Sequence, residues 1–167
     1  FHASAAGVDI DIWDRSRLAD ILDNEPYGHW LRAKYLGIAQ QLLSAELLHD
    51  ISRKSVDALE ATLFDSPEAW VDRELDERLE AVCSRAAVSL LVMPSGSGKS
   101  TACVRLLKSR IATGGFGLWI PDRVLEQAQT LEQAIQSVLQ SYCSSISPTA
   151  GSAALILGEH GGNPFLL

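Results

Sequence analysis

Apolar positions recur at two different periods along this chain, and the period changes mark its elements. Val8, Ile10 and Ile12 alternate with Asp9 and Asp11, the period-two pattern of a half-buried strand. Asp14 is placed to cap a following helix whose Leu18, Ile21 and Leu22 share one face. Asn24-Glu25-Pro26-Tyr27-Gly28 has turn composition, and a second helix from about His29 to Leu36, with Trp30, Leu31 and Tyr35, stops at Gly37. Ser44 caps a longer helix with an apolar stripe of Leu48, Ile51, Leu59 and Leu63 and a polar side from Glu46 to Glu60; Asp65-Ser66-Pro67 breaks it. Leu75, Leu79, Val82 and Ala86 then hold helical spacing.

The second half alternates more sharply. Ser89 to Met93 is a short apolar run with the length of a buried strand, and Phe116 to Pro121 is another, bounded by glycine and proline. Between them a helix from Gly98 to about Ala112 buries Ala102, Val104, Leu106, Leu107 and Ile111 and ends at Thr113-Gly114-Gly115. Thr130 and Gln133 form a capping box for a helix with Leu131, Ala134, Ile135, Val138, Leu139 and Tyr142 on one face. Ala153 to Leu157 predicts a short helix ended by Gly158, and Phe165-Leu166-Leu167 a further strand. Strand alternating with helix predicts an α/β fold with a parallel sheet and flanking helices. A small α/β segment and a helical connector precede it. The corresponding units are 1–43, a connector 44–68, and 69–167.

The chemistry concentrates between the first apolar run and the helix after it. Met93-Pro94-Ser95-Gly96-Ser97-Gly98-Lys99-Ser100-Thr101 matches the phosphate-binding pattern G-x-x-x-x-G-K-[ST], with Met93 at the place of the first glycine. Gly96 and Gly98 lack Cβ atoms, so the backbone can curl and aim N–H groups at phosphate oxygens. The helix adds its unpaired first-turn N–H groups and the positive end of its dipole. Lys99 reaches the β- and γ-phosphates, the Ser100 hydroxyl ligates Mg²⁺, and Thr101 contributes near the α-phosphate. ATP and Mg²⁺ are the expected cofactors.

Trp70-Val71-Asp72-Arg73-Glu74 before a helix, with strand and phosphate loop following, resembles the approach to the nucleotide site in STAND-type NTPases, relatives of the AAA+ class. The resemblance implies that Val71 and Arg73 run past the adenine or phosphates. The alternative reading pairs Arg73 with Asp72, Glu74 or Glu77 at the surface. It also implies a parallel P-loop sheet truncated before the Walker B acid, which falls beyond Leu167, and an ATP-driven switch that forms a homo-oligomer on activation. Val8-Asp9-Ile10-Asp11-Ile12-Trp13-Asp14, with Leu18-Ala19 and Trp30-Leu31-Arg32, resembles the end of an Mrr-type restriction-endonuclease-like domain. That resemblance implies an effector acting on DNA, in the setting of anti-phage defence. The nuclease pattern [DE]-x-K is absent: Arg32, Ser52, Ser97 and Leu106 stand two residues before the lysines. Its catalytic residues are therefore expected upstream of Phe1.

Composition narrows the alternatives. With 47% hydrophobic and 21% charged residues the chain is globular, and a net charge of −7 argues against a broad nucleic-acid surface of its own. Its apolar runs are too short to span a membrane, and Cys83, Cys103 and Cys143 read as reduced thiols of a cytoplasmic protein rather than a zinc site. Opening on phenylalanine, the chain reads as part of something longer. Two other readings stay open. One is a transporter-type ABC ATPase, whose glutamine loop Gln127 to Gln140 match poorly; the other is a nucleotide-binding scaffold that does not hydrolyse.

Overall fold

In the computed structural model, residues 2–5, 8–11, 13–63, 74–85 and 89–160 are described. They form eight helices and one small hairpin. The hairpin pairs β1 (His2–Ala5) with β2 (Val8–Asp11) antiparallel, Ala5 opposite Val8 and His2 opposite Asp11. The helices are α1 (Arg15–Asn24), α2 (Pro26–Leu36), α3 (Ala45–Leu63), α4 (Glu74–Cys83), α5 (Lys99–Ala112), α6 (Asp122–Gln127), α7 (Leu131–Tyr142) and α8 (Ala150–His160).

No parallel sheet exists among the described residues, which overturns the expected α/β P-loop NTPase fold and the STAND and AAA+ likeness drawn from it. The restriction-endonuclease-like assignment of the front segment fails with it, since an isolated hairpin followed by two helices is not that fold. Among the described residues 89–94 and 115–121 form no strand, Gly117 alone being a bridge residue. The third expected strand, Phe165–Leu167, lies outside the described residues, as do the sequence positions Val71 and Arg73.

A physical reason stands at residues 115–120. This segment is threaded through the core, with Phe116, Leu118 and Ile120 buried. Buried N–H groups need partners, and α3 offers two of them side-chain acceptors. Ser52 Oγ accepts from Gly117 N–H at 3.4 Å, and Ser55 Oγ accepts from Trp119 N–H at 3.0 Å. Both serines are buried in the inner face of α3. Two hydroxyls one helical turn apart thus match two N–H groups two residues apart.

The 19-residue α3 is the central helix. Its first half puts Leu48 and Ile51 into a cluster with Leu118, Ile135, Leu139 and Ile146; its second half puts Val56 and Leu59 against Val104, Leu107 and Ile111 of α5. Glu60 pairs with Lys108 at 2.5 Å, and His49 Nε2 lies 3.4 Å from the Ile111 carbonyl, so α3 is fastened near both of its ends to the last turns of α5. On its other side α5 meets α4 through the Arg105–Asp76 ion pair.

Local signals place most boundaries. Asp14 caps α1 through Arg17 N–H at 2.8 Å, Gly37 ends α2 in the left-handed region, and the Ser44 hydroxyl caps α3 through Leu47 N–H. Pro26, expected in a turn, is instead the start of α2, where its missing N–H costs nothing. Thr130 caps α7 through Gln133 N–H at 3.3 Å, while the Gln133 amide accepts from Gln129 N–H, one residue before the usual capping-box donor. Helix α6 has no periodic signal in its six residues and was not expected. Helix α8 begins three residues earlier than expected and passes through Gly158, because it is held from outside: Gln136 on α7 accepts from Gly151 N–H at 2.8 Å and donates to the Ser147 carbonyl at 3.0 Å.

Candidate phosphate-binding loop

The loop between Pro94 and Lys99 is built by two glycines. Gly96 has φ +75° and Gly98 φ +83°, a region that residues with a Cβ enter only at a cost. Between them Ser97 closes the turn, its N–H donating to the Pro94 carbonyl at 3.4 Å and its hydroxyl to the same oxygen at 2.7 Å. Gly98 is the N-cap of α5 and brings no side-chain acceptor, so the first-turn N–H groups of Lys99, Ser100 and Thr101 receive no cap from it. The loop thus ends in the positive pole of a helix.

Lys99 folds back over this turn. Its ammonium donates to the Met93 carbonyl at 2.9 Å and the Pro94 carbonyl at 2.8 Å. The contact with position 93 is made through the main chain, so the carbonyl that serves Lys99 is available from methionine as from glycine. Of the expected ligating residues, Ser95, Gly96, Ser97, Gly98, Lys99, Ser100 and Thr101 are therefore brought together in one turn, with Ser95, Gly96 and Ser100 facing solvent. Among the described residues no group of three histidine, cysteine, aspartate or glutamate side chains is arranged to hold a metal ion.

The segment leading into the loop is not a buried strand. Leu90 and Val92 are 88% and 79% exposed, while the alternate residues Ser89 and Leu91 line a cavity of about 120 Å³ with Leu79, Cys83, Cys103 and Trp119.

One network carries no mark in the sequence: His29, at the start of the second expected helix, is 3% exposed. Its Nε2 lies 2.7 Å from the Asp23 carbonyl, and its Nδ1 accepts from Gln41 N–H and from the Arg32 guanidinium. It joins α1, α2 and the turn before α3 and is structural. Only a partner six residues back and another twelve ahead reveal that role, and no local pattern records such distances.

None of the eight helices among the described residues is long and apolar enough to cross a membrane. No family model, no curated protein and no solved structure matches this chain.

Proposed function

We propose that the turn Pro94–Thr101 and the first turn of α5 bind the phosphate tail of a nucleoside triphosphate, ATP with Mg²⁺. The observation that carries this reading is the pairing of two left-handed glycines with a helix start that has no side-chain cap and a lysine held across two loop carbonyls. A triphosphate brings several negative oxygens to donors that otherwise face water, and charge-assisted hydrogen bonds are the strong ones. Lys99 would exchange its two carbonyl partners for β- and γ-phosphate oxygens over a short swing of its side chain. Ser100 would complete the Mg²⁺ shell once phosphate oxygens supply the rest.

Titration calorimetry with MgATP on the wild-type chain and on Lys99→Ala tests this directly. Loss of a charge-assisted contact of about 1.5–3 kcal/mol corresponds to a loss of roughly tenfold or more in affinity. Equal affinity in a Lys99→Ala chain with unaltered circular dichroism overturns the reading, and so does absence of binding by wild type.

A further inference from the structure

Two of the three cysteines meet in one place, and the nucleotide reading makes no use of them. Cys83 is the last residue of α4 and Cys103 lies in the second turn of α5; both are half-buried, unlinked, and line the same cavity of about 120 Å³. The helices that carry them are packed together and joined by the Arg105–Asp76 ion pair. We propose that Cys83 and Cys103 are a redox-active pair, which a hydroperoxide converts to a disulfide tying the end of α4 to the start of α5.

The two thiols differ in a way that assigns their order. The Cys103 thiol is pushed up, first by burial and then by the charge of Cys83, so its thiolate is scarce. Both thiols open on the same small cavity. Cys83, at a helix end followed by the Ser84–Arg85 turn, is the attacking residue. Its thiolate attacks the peroxide oxygen, the O–O bond breaks, and hydroxide leaves to take up a proton, giving a sulfenic acid at Cys83. The Cys103 sulfur then attacks the Cys83 sulfur; the S–S bond forms, the S–O bond breaks, and the oxygen departs as water with the Cys103 proton. Two thiols lose two electrons in total and one hydrogen peroxide becomes two waters. A terminal helical residue can shift to satisfy disulfide geometry more cheaply than one inside a helix. Cys143 is held elsewhere, its Sγ 3.8 Å from the Gln40 carbonyl, and takes no part.

The bond would close the chain around residues 84–102, which contain the whole phosphate loop. Its formation does not depend on the nucleotide reading, and the test below does not use nucleotide.

The purified chain is treated with hydrogen peroxide, its remaining thiols are alkylated, and it is digested with trypsin and analysed by mass spectrometry. Cleavage after Arg78, Arg85, Lys99 and Arg105 puts the two cysteines on separate peptides, Leu79–Arg85 and Ser100–Arg105. The expected product is these two peptides joined within a monomer, one alkylated thiol at Cys143, and return to three free thiols with dithiothreitol. Cys83→Ser and Cys103→Ser should each prevent the link, and Cys143→Ser should leave it unchanged. A cross-link through Cys143, a disulfide-linked dimer, three thiols persisting under peroxide, or over-oxidised Cys83 beside free Cys103 would each overturn the proposal. The wild-type thiol count and peptide map decide the matter even if a serine variant folds poorly.

Discussion

At the scale of single residues, Ser55 shows how a small polar group decides a local structure. Its hydroxyl accepts from Trp119 N–H inside the core, so its removal strands a buried donor. Ser55→Ala should destabilise the fold by about 1–3 kcal/mol, measured by urea unfolding. Ser52→Ala should cost less, because its contact to Gly117 is longer, 3.4 against 3.0 Å. Met93→Gly should leave MgATP affinity equal or higher, since Lys99 uses only the carbonyl at that position; calorimetry showing a clear loss would make the methionine side chain part of the site. Cys103 offers a pH reading. Its thiol binds its proton more tightly in the folded chain than in the unfolded one. The stability from this shift is therefore present below the unfolded thiol pKa and is lost as pH rises through the higher folded value. Alkylation of Cys103 by iodoacetamide at neutral pH should be slower in the native chain than in urea, with the gap narrowing as the solution is made alkaline.

At the scale of elements, caps and close approaches were legible to different degrees. Asp14, Ser44 and Thr130 each precede an apolar pattern, and each caps its helix because the interaction spans only three residues. Thr130→Ala should cost about 1 kcal/mol. The α7–α8 contact carries no such local mark. A Cβ on Gly151 would come 2.2 Å from the Glu132 carbonyl oxygen, so the two helices meet at a distance that only glycine allows. Gly151→Ala should therefore destabilise by about 1–3 kcal/mol through displacement of α8, visible as a lowered melting temperature. The sequence around Gly151 holds no mark of this constraint, since it comes from a helix some twenty residues earlier.

At the scale of the whole molecule, α3 couples what the order of the chain keeps apart. One face reaches the α7–α8 cluster through Leu48 and Ile51, and the α5 cluster through Val56 and Leu59. Truncation at either end, Ile51→Ala or Val56→Ala, should lower the stability of a single cooperative transition, Ile51→Ala by about 2–5 kcal/mol. Two separable transitions by circular dichroism and tryptophan fluorescence would show instead that the clusters fold apart. The amino-acid order by itself determined the helices with strong periodicity, their capping residues and the glycine–lysine turn before α5, because each depends on contacts within a few residues. Whether the apolar runs at 89–93 and 116–120 became strands was decided only in three dimensions. An extended segment is a strand only if its main-chain groups pair with another extended segment along their length, and among the described residues one run has a single bridge residue, Gly117, with α3 hydroxyls beside it, and the other has no ladder.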